Sequence, residues 1–218
     1  MIYAVDNAAV RMILIAFARW RVEGKDNVPR RGPLVIVSNH LSLIDPPLLG
    51  VSVPRTIRFM AKQELFDSFF ARAVVQSYGA FPVRRGQLDR AAIRGALAAL
   101  QDGQVLGMFP EGTRSRNGQL QPAELGASLI AARSGVPILP VGISGSERVN
   151  GIMSILRRPQ ITVNIGRPFA LPSLGGGSGR SRLAHHTELI MERIAELLPH
   201  RYRGADRTPG NSRSHDGG

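Results

Sequence analysis

Six short apolar runs rich in Val, Ile and Leu punctuate this chain, at residues 33–39, 57–61, 80–83, 105–109, 137–143 and 160–165. Each has the length and side-chain character of a strand. Between and after them lie segments of helical periodicity at residues 69–78, 88–100, 125–134 and 183–198. In the second of these, Ile93, Leu97 and Leu100 share one face, Arg90 and Arg94 turn away, and Gly103 follows where a helix end favours glycine. Such alternation predicts an α/β fold: a single-domain sheet of mostly parallel or mixed strands with helices on both faces, plus an N-terminal amphipathic helix. Turns that follow parallel strands gather on one edge of such a sheet, so sequence-distant motifs can share a site there. At 218 residues the chain suffices for one sizeable core and is short for two. The expected division is the N-terminal helix over residues 1–21, the main domain over 22–203 and a disordered Gly- and Arg-rich tail over 204–218. Residues 174–182 (LGGGSGRSR) read as a flexible linker, and no internal repeat is visible.

Charge narrows the partners. The formal net charge is +12, and nearly all the cations are Arg, with Lys only at Lys25 and Lys62. That balance favours nucleic acid, anionic lipid headgroups or phosphorylated substrates. The basic residues are spread along the chain, without zinc-finger spacing and with few aromatics to stack on bases, so no nucleic-acid partner is expected. The absence of Cys removes disulfides, thiolate nucleophiles and thiolate metal sites, and fits a cytoplasmic location. No run reaches the ~18 uninterrupted apolar residues of a membrane span. The nearest approach is residues 8–20 (AAVRMILIAFARW), where Arg11 breaks the apolar centre and Arg19, Trp20 and Arg21 occupy the place of a cleavage site, so cleavage is not expected. On a helix, Asn7, Arg11 and Ala18 make a narrow polar stripe beside a broad apolar face with Trp20 near the end. That pattern suits a membrane interface, and a core-packing helix is the alternative.

The run Asn39-His40-Leu41-Ser42-Leu43-Ile44-Asp45 places an imidazole and a carboxylate five positions apart, directly after an apolar strand. Free histidine titrates near pH ~6.5, so a neutral His40 can accept a proton from a hydroxyl while Asp45 orients the ring. Five positions lie roughly 140° apart on a continuous helix, so the two meet only if His40 sits on a turn ahead of a helix that carries Asp45. Pro46 and Pro47 complicate that helix. The plainer alternative is a surface His and a helix-capping Asp. Ser42 reads as a capping hydroxyl or a substrate contact, with capping favoured.

Three further blocks follow: Gly79-Ala80-Phe81-Pro82-Val83-Arg84-Arg85, Phe109-Pro110-Glu111-Gly112-Thr113-Arg114-Ser115 and Val136-Pro137-Ile138-Leu139-Pro140-Val141. In this order the four blocks resemble the glycerolipid acyltransferase family that includes 1-acylglycerol-3-phosphate acyltransferase, whose patterns read NHxSxxD, GxxFxxR, FPEGTRS and a V-P-I-x-P-V-like segment. The resemblance runs from about residue 20 to about residue 204. It departs at Arg84, where such enzymes often carry Asp; counting from Gly79 makes Arg85 the motif arginine, and which of the two meets ligand stays open.

The resemblance implies a transfer of a fatty acyl group from acyl-CoA or acyl-carrier-protein to 1-acylglycerol 3-phosphate, forming phosphatidate. His40 would deprotonate the acceptor hydroxyl, Asp45 would orient His40, and neither a metal nor a cofactor is expected. The residues agree, since there is no Cys, no P-loop and no intact G-x-S-x-G elbow: Gly142-Ile143-Ser144-Gly145-Ser146 lacks the last glycine. Arg85 and Arg114 are the expected clamp for a dianionic headgroup. Glu111 would accept hydrogen bonds from the glycerol backbone or from Arg114, while Gly112 and Thr113 let the main chain approach the substrate. Lys62 either adds charge near the headgroup or is merely solvated, and the block at residues 136–141 either binds acyl chain or is a core strand. The expected partners are a membrane surface with anionic lipids, lysophosphatidate, and an acyl thioester that includes acyl-carrier-protein as a candidate. The expected place is the cytoplasmic face of the membrane, peripheral or monotopic. A different acceptor, such as another lysophospholipid or glycerol 3-phosphate, and a non-catalytic basic lipid-binding module are the alternatives.

Overall fold

The computed structural model describes residues 7, 10–12, 14, 16, 18–67, 72, 79–83, 89–149, 158–172 and 179–204. Seven strands, β1 (Arg19–Glu23), β2 (Leu34–Ser38), β3 (Ile57–Lys62), β4 (Phe81–Val83), β5 (Val105–Met108), β6 (Ile138–Ser144) and β7 (Gln160–Ile165), form one sheet in the order β1-β7-β6-β2-β5-β3-β4. All neighbouring pairs are parallel except β6–β7. Strands β2 to β6 therefore point their C-terminal ends to one edge, and β7 and β1 run the other way. Strand β2 sits between β5 and β6 and is buried along its whole length. A strand covered on both faces can be apolar at every position, which is why LVIVS shows no alternation.

Among the described residues, four complete helices cover the sheet: α1 (Asp45–Ser52), α2 (Arg90–Gln101), α3 (Gly126–Ser134) and α4 (Gly179–Glu196). On one face, Leu34 and Ile36 pack in a cluster with Leu48, Leu49 and Val53 around α1. On the other, Val35 and Val37 join Ile93, Ala96 and Leu100 of α2, Ile130 of α3 and Ile190, Met191 and Ile194 of α4. The two-residue period of β2 thus feeds both cores. Helix α2 begins where the Asp89 carboxylate accepts from the Ala91 and Ala92 amides, a side-chain cap that satisfies two otherwise free donors.

The N-terminal region differs from expectation. Described positions from Asn7 to Ala16 are helical, but Arg19 already opens β1, paired in parallel with β7, so Trp20 is a strand residue and not a helix end. The expected polar stripe is also turned: Asn7 donates to the Gly50 carbonyl at 3.1 Å, and Ala18 is buried in the core together with Leu14. Positions 7, 14 and 18 therefore face the body, whereas Met12 is 67% exposed beside an exposed Arg11. Helix α4 starts at Gly179, which makes the last four residues of the expected linker helical. Most of the helix expected at residues 69–78 and the tail from 205 onward lie outside the described residues. Among the described residues no helix is long and apolar enough to cross a membrane.

Candidate active site

Asn39 and His40 leave the C-terminal end of β2 into a turn that delivers Asp45 as the first residue of α1. Pro46 and Pro47 fall in the first helical turn, where amides have no intrahelical acceptor and a fixed φ suits the helix, so they start it and do not break it. The geometry required for an i, i+5 pair is met: His40 Nδ1 lies 2.9 Å from Asp45 Oδ2. The same oxygen accepts from the Leu41 amide at 2.6 Å and the Ser42 amide at 2.7 Å, and Asp45 is wholly buried. A carboxylate that only accepts puts the imidazole proton on Nδ1 and leaves the Nε2 lone pair as the available base. Ser42 engages Asp45 through its main chain, and no side-chain oxygen caps α1, contrary to the capping hydroxyl favoured from sequence.

The ring is also fixed from its face. Phe109 stacks on His40 with centroids 4.1 Å apart, and Phe59 stacks behind Phe109 at 6.1 Å. Phe59 finds its place because β5 carries Gly107, where an added Cβ would lie 2.5 Å from the Phe59 ring. Offset aromatic contacts of this kind hold orientation as well as area. His40 is left 7% exposed, and the turn presents Leu43, 66% exposed, to the outside.

The stretch after β5 wraps the same residue. Phe109 to Gly112 form a tight turn closed by the Gly112 amide on the Phe109 carbonyl, with Gly112 at φ +67°, a conformation that favours glycine. Its amide is therefore spent on the turn and not turned to a ligand. Glu111 corrects the sequence reading most clearly. Its side chain points inward, where Oε1 accepts from the His40 amide and Oε2 from the Gln121 amide, both at 2.8 Å. The Ser115 amide donates to the His40 carbonyl at 2.8 Å, so the peptide groups on both sides of His40 are tied to one loop. Asn39 adds a third tie: its amide side chain exchanges two hydrogen bonds with the Ile143 main chain, at 2.9 and 2.8 Å, joining the ends of β2 and β6. Sequence reasoning missed Asn39, although its place in the first motif is a signal.

Thr113 and Arg114 are exposed on this loop, and among the described residues Arg114 has no hydrogen-bond or ion-pair partner. Arg116, two residues on, is likewise exposed and without a partner among the described residues. Arg84 and Arg85 lie outside the described residues, so only the start of their block is placed; Arg58 holds it, donating to the Gly79 carbonyl at 3.1 Å. Lys62 pairs with Glu64 at 2.8 Å on the surface. The block at residues 136–141 enters β6, which is buried from Ile138 to Ile143.

The geometry offers a lone pair on an oriented, nearly buried imidazole at the edge where the parallel strands β2 to β6 end, tied through Ser115 to a loop whose Arg114 and Arg116 are exposed and unpaired among the described residues. Comparison with known proteins identifies the family. The Acyltransferase family model matches residues 19–144. A 1-acyl-sn-glycerol-3-phosphate acyltransferase from Bacillus subtilis (strain 168) is 30% identical over 87% of this chain and 93% of its own length. A lyso-ornithine lipid O-acyltransferase from Pseudomonas aeruginosa is 36% identical over 57% of this chain and 46% of its own. The crystal structure of the 1-acyl-sn-glycerophosphate (LPA) acyltransferase PlsC from Thermotoga maritima superposes with a TM-score of 0.68 at 28% identity, covering 90% of this chain and 79% of that one. With a matched segment that spans more than half its length and contains both His40 and Asp45, the chain belongs to the Acyltransferase family.

Proposed function

We propose that this enzyme moves a fatty acyl group from a thioester of coenzyme A or acyl-carrier-protein to the free hydroxyl of 1-acylglycerol 3-phosphate, forming phosphatidate. The observation that carries the reading is the Asp45–His40 pair, with Nδ1 engaged at 2.9 Å and Nε2 left for the substrate. His40 Nε2 takes the hydroxyl proton as the oxygen attacks the thioester carbonyl, and Asp45 stabilises the imidazolium that forms. Collapse of the adduct expels the thiolate, which takes up the proton from His40, so base and acid are one residue. Arg114, with Arg85, binds the headgroup phosphate, for which a guanidinium supplies paired donors. The Glu111 contacts keep His40 in place without touching either substrate. The enzyme works at a membrane surface with anionic lipids, on its cytoplasmic face, where Met12 and Leu43 present apolar side chains.

The test is incubation with labelled acyl-CoA and a panel of acceptors: lysophosphatidate, glycerol 3-phosphate, lysophosphatidylcholine and a lyso-ornithine lipid. Turnover highest with lysophosphatidate is expected. A folded His40→Ala variant should lose about 10²–10⁴-fold, the contribution of a positioned base. Preference for an acceptor without a phosphate monoester overturns the proposed headgroup, and a His40→Ala protein that keeps more than about a tenth of the turnover overturns the proposed base.

A further inference from the structure

A short turn, His200–Tyr202, follows α4 and brings Tyr202 back to the catalytic edge. Tyr202 is 3% exposed, and its amide, carbonyl and phenol are all hydrogen-bonded, the amide to the Pro199 carbonyl at 2.9 Å. Its carbonyl accepts from the Leu120 amide at 2.8 Å. Its phenol oxygen accepts from the Gly145 amide at 3.1 Å and from Arg201 Nη2 at 3.1 Å, and donates to Glu147 Oε1 at 2.8 Å. Burial, with Glu147 as its acceptor, pushes the phenol pKa up and keeps the donor proton in place.

Two of these contacts, to Leu120 and to Gly145, lead to His40 by separate routes. Leu120 precedes Gln121, whose amide holds Glu111 Oε2, while Glu111 Oε1 holds the His40 amide. Gly145 lies two residues beyond Ile143, whose main chain is locked to Asn39, the neighbour of His40. One side chain and its own carbonyl thus brace the two structures that fix the base. A core aromatic chosen for volume alone would need no hydroxyl here, since Phe fills nearly the same space.

We propose that Tyr202 is a positioning residue for acyl transfer, setting the place of His40 through Leu120–Gln121–Glu111 on one side and through Gly145–Ile143–Asn39 on the other. This rests on His40 being the base. Small displacements of a reacting group cost rate more than binding, so the effect belongs in kcat.

Tyr202→Phe keeps the ring and the carbonyl and removes only the phenol bonds. It should lower kcat roughly 10–100-fold while both KM values stay within about twofold. Asn39→Ala should lower kcat too, and the double variant should be no slower than the slower single one, because both act on one route. A Tyr202→Phe protein that melts earlier but keeps kcat within about twofold, or effects that simply multiply in the double variant, overturns the proposal. If Tyr202→Phe does not fold, Glu147→Gln makes the same test by weakening the bond that orients the phenol: the same fall in kcat supports the proposal, and unchanged kcat overturns it. An active His40→Ala enzyme would sink the base assignment itself; an inactive one beside an unaffected Tyr202→Phe sinks only this inference.

Discussion

Replacing Asp45 by Asn separates the two tasks of one carboxylate. The amide oxygen can take the place of Oδ2 and still face the Leu41 and Ser42 amides and His40 Nδ1. The amide nitrogen then falls where Oδ1 sits, a buried position with no hydrogen-bond partner. Main-chain bonds to a charged acceptor are worth about 1.5–3 kcal/mol and to a neutral one about 0.5–1.5, and an unsatisfied buried donor adds about 1–3, so the loss is roughly 3–5 kcal/mol. For a chain of this size that is about 6–20 °C in Tm. The rate effect has another origin. An imidazolium and a carboxylate about 4 Å apart attract by about 4 kcal/mol at an effective dielectric of ~20, and half-transfer of the proton realises about half, or roughly 30-fold in kcat. That is a smaller loss than deleting the base. Scanning fluorimetry gives the melting temperature, and initial rates at saturating acyl-CoA and lysophosphatidate give kcat below it. A variant within about 2 °C and threefold of the parent would refute the reasoning, since the buried carboxylate would then be neither holding the turn nor stabilising the charge.

Arg114→Ala and Arg85→Ala should raise the KM of the phosphorylated acceptor about tenfold or more with little change for the acyl donor; an acceptor defect in Arg84→Ala instead of Arg85→Ala would move the second contact by one position. Met12→Glu should weaken flotation with anionic vesicles without lowering the melting temperature, because the side chain is 67% exposed; unaltered binding at low and high salt would place the membrane-binding face elsewhere. Gly107→Ala puts a Cβ 2.5 Å from the Phe59 ring and 2.8 Å from Ile57 Cγ2, so it should cost about 1–3 kcal/mol of stability and reduce kcat through the Phe59–Phe109–His40 stack. Equal kcat in a destabilised Gly107→Ala protein would show that the stack does not hold the ring.

Much of the fold was legible because burial writes itself into composition. Strand β7 occupies the residues its apolar pattern predicts, and β2 stands out because both of its faces need apolar side chains. Strand β1 was hidden for the opposite reason: RWRVE is an edge strand of mixed exposure that continues a helical pattern, and its identity depends on a partner about 140 residues away. The His40–Asp45 pair was readable since a turn and a helix start are local. The direction of Glu111 was not. A carboxylate inside such a motif can serve a ligand or a distant amide, and here the amide belongs to a residue 71 positions earlier. Tyr202 lies inside the stretch that resembles the family, yet nothing near it in sequence shows which groups its hydroxyl holds.

The pairing of β1 with β7 has a consequence for how the molecule is made. Arg19 meets Gln160, and at about 5–20 residues per second the roughly 140 residues between them take about 7–28 seconds to synthesise. Through that interval the helical segment ahead of β1 hangs from a strand with no neighbour, and Leu14 and Ala18 lack the sheet that later covers them. Whatever apolar surface the nascent chain meets first, a chaperone or a bilayer, has first claim on that segment. Burial of Leu14 and Ala18 is thus among the last steps of assembly, since it waits for a strand made long after them.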